Sequence, residues 1–210
     1  MKIAIIGANG QAGNLIYQQA VARGHEVVAV VRNAAKMPAG TTILERDVLS
    51  LSASDLAGMD VVVSAISAFT PETLSLHSDS VRHLATILAG TSTRLLIVGG
   101  AGSLYLDAHH QMQLKDAPDF PAEFAPLATA MSEGLALLRT YSDINWTYVS
   151  PAADFVFEAP ASGQYQLAGE VFTTNAAGVS EVSYADYAIA MLDIIESQGY
   201  TRQRISVLSV

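Results

Sequence analysis

Seven residues, Gly7-Ala8-Asn9-Gly10-Gln11-Ala12-Gly13, constrain this chain more than any others. They follow an apolar run at 3–6 and open a helix-forming stretch at 12–22. A strand that turns at once into a helix needs residues without a Cβ, because the turn is tight and the helix must lie close to the strand. Glycines at a G-x-x-G-x-x-G spacing meet that need. The first helical N–H groups have no partner inside the helix, so they suit a pyrophosphate. The dinucleotide fingerprint itself is G-x-G-x-x-G, so the middle glycine is displaced by one residue, and a purely conformational turn is the competing reading. We take Gly7, Ala8, Asn9, Gly10, Gln11, Ala12 and Gly13 as candidate nucleotide contacts.

The remainder of the chain repeats the same alternation. Short β-branched runs at 3–6, 27–31, 42–45, 61–64, 95–98, 147–149 and 205–208 are predicted strands, and 12–22, 72–88, 125–140 and 184–196 are predicted helices. Several runs lack in–out alternation, as strands covered on both faces do. The predicted class is therefore α/β, a Rossmann-type doubly wound and mostly parallel sheet with helices on both faces. Residues 1–210 are read as one domain, since no repeat or linker interrupts them. Two irregular stretches, about 102–126 and 151–182, are expected on the substrate side. Within the second, 165–167 and 171–173 are expected to pair as a hairpin.

Charge and composition exclude other classes. Half of the residues are hydrophobic and 15% are charged, which suits a large core and not a disordered chain. The net charge of −9 has the wrong sign for a nucleic-acid binder or a polybasic membrane anchor. That deficit sits in the second half, where four basic residues face thirteen acidic ones; the first half holds seven of each. With no cysteine there is no disulfide, thiolate catalyst or Cys-ligated metal. The first residues are too briefly apolar for a signal peptide and no run reaches a membrane span, so a cytoplasmic location is expected. The sequence carries no signal for oligomeric state.

The end of the second strand distinguishes dinucleotides. An NAD site places Asp or Glu there for the ribose 2′-hydroxyl. Here the residues are Val31-Arg32-Asn33, with Lys36 one turn on. A guanidinium fork suits a 2′-phosphate, so NADP(H) is predicted over NAD(H), with Arg32, Asn33 and Lys36 as contacts. Asp47 and Val48 follow the third strand, where a carboxylate and a backbone N–H can meet adenine; Asp47 is equally readable as a plain loop residue. Ser64, Ala65 and Ile66 end the fourth strand, at the edge where ligands of open α/β sheets gather.

These motifs, together with Val98-Gly99-Gly100-Ala101-Gly102-Ser103-Leu104-Tyr105, Trp146-Thr147-Tyr148-Val149-Ser150-Pro151-Ala152 and Val182-Ser183-Tyr184-Ala185-Asp186-Tyr187-Ala188, resemble the atypical branch of the short-chain dehydrogenase/reductases. Nearest in pattern are the candidate NADH-flavin reductases grouped with NmrA-like and biliverdin-IXβ-reductase-like proteins. The resemblance implies about seven strands, a small C-terminal substrate cap, and NAD(P)H across the carboxyl edge with Gly99, Pro151 and Ala152 among its contacts. It also implies hydride transfer to a flavin or quinone-like acceptor.

One departure bears on the chemistry. Carbonyl-reducing members use Tyr-x-x-x-Lys as an acid/base pair. Aligning Glu133 with the family's downstream glutamate puts Ala125 and Thr129 at those positions, and no Tyr-x-x-x-Lys occurs elsewhere in the chain. Alcohol dehydrogenation and sugar epimerisation are thereby disfavoured. Transfer to an isoalloxazine asks less of the protein, since the ring delocalises the charge. On the acceptor side Ser103 and Tyr105 are candidate positioning residues, and Phe69, Phe155 and Phe157 are candidate stacking residues; loop, cap and core packing roles compete for each. A serine hydrolase is disfavoured because Ser103 lacks the flanking glycines of a nucleophile elbow. Adjacent His109 and His110 point apart, and no metal is predicted. The alternative function is an NmrA-like redox sensor that binds the dinucleotide without turnover.

Overall fold

The computed structural model describes residues 1–210. Its elements run β1 (Lys2–Ile6), α1 (Gln11–Ala22), β2 (Glu26–Val31), β3 (Thr42–Glu45), β4 (Val61–Ser64), α2 (Leu76–Leu88), β5 (Arg94–Val98), α3 (Ala125–Leu138), β6 (Asn145–Pro151), β7 (Asp154–Val156), β8 (Tyr165–Ala168), β9 (Glu181–Ser183), α4 (Tyr184–Ser197) and β10 (Gln203–Ser209). Eight strands form one sheet in the order β3-β2-β1-β4-β5-β6-β10-β8, and β7 pairs with β9 in a small separate ladder. Every pairing of the large sheet is parallel except that of β8 with β10. The order 3-2-1-4-5-6 is that of the doubly wound dinucleotide fold, with its switch point between β1 and β4.

Strand periodicity divides the core into two layers. Ile3 and Ile5 point to one side and join a buried cluster with Ile16, Tyr187, Met191 and Ile194, where α1 and α4 pack together. Ala4 and Ile6 point to the other and join Val81, Leu84, Leu135 and Leu138, where α2 and α3 pack together. No helix is long and apolar enough to cross a membrane.

Three differences from the sequence reading have identifiable causes. The sheet has eight strands because β8 pairs antiparallel with β10, from Ser206 opposite Ala168 to Ser209 opposite Tyr165. The expected hairpin of 165–167 with 171–173 does not form; Val171 bridges Tyr105 instead. The second helix begins at Leu76 rather than 72, because Thr73 Oγ1 accepts from the Thr70 N–H (3.2 Å) and donates to the Thr70 carbonyl (3.0 Å). Such a side-chain turn competes with a helical start.

Charged side chains fasten α4 at both ends. Arg94 is buried at the start of β5 and donates to the carbonyls of Ile195 (2.8 Å) and Gly199 (3.0 Å), a cation at a helix C-terminus. At the other end Ser183 Oγ accepts from the Asp186 N–H (2.9 Å). The Asp186 carboxylate in turn accepts from the N–H groups of Ser162 and Gly163 and from the hydroxyls of Ser162 and Ser183. Burial alone would raise its pKa; these donors overcome that and hold it below the usual carboxylate value.

A carboxylate with a depressed folded-state pKa contributes stability above its unfolded pKa of about 3.9, and that stability is lost as pH falls through the folded value. Asp186→Asn should lower stability at neutral pH by about 1–3 kcal/mol. Denaturant titrations of the two proteins should converge as pH falls below the depressed folded-state value; a gap that persists there would show that the carboxylate charge is not what anchors the 162–163 turn.

Candidate functional site

The turn after β1 is built as the glycine spacing predicts. Gly7 has φ +78°, and a Cβ there would lie 2.5 Å from the Ala65 carbonyl oxygen. A Cβ on Gly13 would lie 2.2 Å from the Gly7 carbonyl oxygen. These two glycines therefore bring β1, α1 and the end of β4 into backbone contact, and Gly10 is less crowded, with its nearest neighbour at 3.2 Å. Gly7 N–H donates to Val30 (2.9 Å) and Ala65 N–H to Ile6 (2.9 Å), which fixes both rims of the switch point. At α1 the N-cap Gly10 supplies no side-chain cap and the first turn holds no acid. The positive helix end is thus left for an outside anion.

Above this turn lies a groove of about 140 Å³, partly open to solvent. Gly7, Asn9 and Gly10 line its base, Arg32, Asp47 and Val48 one end, and Ala65 and Ile66 the β4 side. Nine of the candidate residues from the sequence stand around or immediately beneath one groove, counting Gly13, which is buried against Gly7. Asp47 also caps a short turn by accepting from the Leu49 N–H (2.9 Å), so the loop role and the groove position coexist.

One charged groove residue escaped the sequence reading. Arg46 lines the same end as Arg32. Val31 pairs with Glu45, and the Arg46 N–H donates to the Val31 carbonyl (2.8 Å), so the two arginines leave neighbouring strand ends side by side. Arg46 lies 3.6 Å from Asp55, whereas Arg32 makes no ion pair. The signal was available: each arginine is the first residue after its strand.

Other candidates lie elsewhere. Asn33 caps the turn at 34–36 by accepting from the Ala35 N–H (3.0 Å), and Lys36 is exposed outside the groove. Gln11 is exposed at the first position of α1, Ala8 is fully buried, and Ala12 is half-buried. Ser64 faces a second, smaller cavity. Gly99 lies against the Tyr148 ring, where a Cβ would sit 2.2 Å from a ring carbon. Pro151 and Ala152 are buried at the end of β6. Phe69 is 70% exposed, Phe155 stacks on Tyr184 at 3.6 Å between centroids, and the exposed Phe157 meets Tyr184 edge-on.

Ser103 and Tyr105 are committed to an anchor. The Ser103 hydroxyl is buried and accepts from Arg204 Nη1 (2.9 Å). Arg204, whose side chain is wholly buried on β10, also donates to the Glu170 carbonyl (3.1 Å) and carboxylate, and lies 5.7 Å from the Tyr105 ring centroid. Arg139 grips the same carboxylate at 2.6 and 2.7 Å. The Tyr105 N–H donates to Glu170 and its carbonyl accepts from Phe172, while His110 stacks on its ring at 4.3 Å. One guanidinium thus ties both irregular stretches, 102–126 and 151–182, to the sheet. Asp107 holds the His109–Met112 turn by accepting from three of its N–H groups.

Comparison with known proteins decides the family. A family model described as NAD(P)H-binding matches residues 7–198. The chain belongs to that NAD(P)H-binding family. The protein YwnB of Bacillus subtilis is 46% identical over 211 residues, covering 100% of this chain and 99% of YwnB. A Streptococcus pneumoniae protein described as a candidate NADH-flavin reductase is 52% identical over the full length of both chains, with a TM-score of 0.97. A candidate epimerase from Bacteroides thetaiotaomicron is 31% identical over 100% of this chain and 97% of its own, at a TM-score of 0.87.

Removing Arg204 leaves Glu170 with one fewer partner and Ser103 with none. Arg204→Met should cost about 3 kcal/mol in denaturant unfolding and make residues 102–126 the first site of limited proteolysis. Proteolysis at that stretch no faster than in the parent would refute the anchoring role.

Proposed function

We propose that the chain is an NADPH-dependent reductase that passes hydride to a flavin or quinone-like acceptor. The observation that carries this reading is the groove itself: a glycine turn pressed beneath an uncapped helix N-terminus, with two arginines at one end. A Cβ at Gly7 or Gly13 would break the backbone contacts that bring the α1 N-terminus over the β1 turn, so the residues present fit a dinucleotide. When bound, the dinucleotide supplies a hydride, and a delocalised acceptor ring can take its proton from solvent.

The protein's own residues then bind and align. Backbone N–H groups at 10–13 hold the pyrophosphate, and Asp47 and Val48 face adenine. Arg32 and Arg46 bracket a 2′-phosphate, which supports NADPH over NADH. Ala65, Ile66, Gly99, Pro151 and Ala152 present backbone along the carboxyl edge, leaving the acceptor to the aromatic side chains of Phe69, Phe155 and Phe157. Of the two reactions that the neighbours' names suggest, epimerisation needs a positioned acid/base pair, and this chain has Ala125 and Thr129 at the positions aligned with it. A small neutral ring suits the acidic second half better than a nucleic acid or an anionic membrane does. A dinucleotide sensor of NmrA-like type is the second reading. It is favoured by one observation, that Ser103 and Tyr105 serve the Arg204 anchor.

Steady-state NADPH oxidation with riboflavin, FMN, FAD and a panel of small quinones separates the two. Turnover with at least one acceptor is expected; micromolar NADPH binding without any turnover would establish the sensor. For the dinucleotide itself, Arg32→Glu should raise the NADPH dissociation constant at least about tenfold, the 1.4 kcal/mol of a lost charge-assisted contact, while sparing NADH. Equal loss for both would overturn the 2′-phosphate role.

A further inference from the structure

The nucleotide groove leaves one cavity unexplained, whose largely apolar wall carries four polar residues. Between α2, α3 and the carboxyl ends of β4 and β5 lies a space of about 20 Å³, room for one water molecule. Its polar wall residues are Ser64, Ser80, His77 and Tyr148. Ser64 and Ser80 are each 2% exposed, and neither hydroxyl bonds to a protein group. Hydroxyls so little exposed are costly without a partner, and native proteins satisfy them with protein groups or ordered water.

The other two polar residues are half-satisfied in complementary ways. His77 Nε2 lies 3.0 Å from the Ala68 carbonyl oxygen. A carbonyl only accepts, so Nε2 carries the proton and Nδ1 is left as an acceptor in the neutral ring. Burial pushes this imidazole below its ordinary pKa, only partly offset by the Ala68 bond, which keeps the ring neutral. The Tyr148 oxygen accepts from the Gly100 N–H (3.3 Å), and its own proton has only the distant Met131 carbonyl at 3.5 Å. Burial holds this phenol protonated, with its pKa pushed up to about 12. The cavity is therefore bordered by hydroxyl donors and an imidazole acceptor, all short of partners.

We propose that this cavity is a built site for one ordered water, bound by the Ser64 and Ser80 hydroxyls with His77 and Tyr148 as its further partners, and that the water braces the floor of the nucleotide groove. The bracing follows from connectivity. Ile66 forms a wall of both the cavity and the groove, and His77 holds the Ala68 carbonyl two residues further on. The water joins α2 to the end of β4 directly beneath residues 65–68. Its presence is independent of the nucleotide reading, whereas its bracing role rests on that reading.

The test is an atomic-resolution crystal structure of the full chain, paired with Ser80→Val, whose added methyl group occupies the cavity, and Ser80→Ala, which deletes one partner without adding bulk. The wild type should show one density peak within hydrogen-bond distance of Ser64 and Ser80, weaker in Ser80→Ala and absent in Ser80→Val. NADPH titration should give a dissociation constant about fivefold weaker in Ser80→Val, the size of coupling expected from a residue that touches no ligand. A dry cavity in the wild type overturns the site. A Ser80→Val protein that lacks the water yet binds NADPH as the parent does overturns the bracing role. If the wild type bound no NADPH, the dinucleotide reading and the bracing role would both fail, and the density would still decide the water.

Discussion

Everything at the carboxyl edge of this sheet depends on a backbone contact that admits no Cβ. Gly13 rests on the carbonyl of Gly7, and Gly7 rests on the carbonyl of Ala65. The first contact sets how deeply α1 sinks toward β1; the second sets how closely the β1 turn meets β4 across the switch point. Together they place a helix N-terminus, with its unpartnered N–H groups, at the one position where strand order reverses. The groove follows from that placement, and the side chains around it refine what it holds.

How much of this was legible depended on range. Seven strands could be read from β-branched runs, six of them buried along most of their length and so carrying a dense local signal, with β3 at the sheet edge the exception. The eighth, β8, could not be placed correctly, since its partner is β10, some forty residues away, and a local turn at Ala168-Gly169-Glu170 offered a nearer alternative. The same limit applies to the site. Gly7, Gly10, Gly13, Arg32 and Asp47 sit on consecutive βα units whose geometry is fixed by the fold, so sequence position predicts spatial position. Ser103 reads as an acceptor-positioning, loop or cap serine because its partner, Arg204, lies 101 residues further along the chain. Arg46 was overlooked although its strand was drawn correctly; parallel neighbours bring first residues after strands together, and that rule pairs it with Arg32.

Buried charge here serves position more than stability. Arg204 and Arg94 each retain an Nε atom without a partner, and burial depresses both guanidinium pKa values. Their energetic return is therefore modest, since desolvation offsets much of the attraction. What each provides is directional: a fork that satisfies several carbonyls or carboxylates at once and so fixes one arrangement of the segments that meet there. The net charge of −9 accordingly says little about the groove, where an unpaired Arg32 and a helix dipole set the local field.

The antiparallel strand β8 comes from the same stretch, 151–182, that holds Phe155 and Phe157, the residues proposed for the acceptor side. It occupies the flank of β10, whose peptide groups would otherwise line an open parallel edge and invite pairing with another chain. Exchange of this stretch between relatives, the obvious way to alter the acceptor, therefore also exchanges the protection of the sheet. Variation can accumulate cheaply at 157–161, whereas 162–163 and Glu170 are held by the Asp186 and Arg204 anchors and 165–168 must keep a strand's backbone whatever the acceptor demands. The part of the molecule freest to specialise is bound at its centre by the need to keep the sheet edge covered.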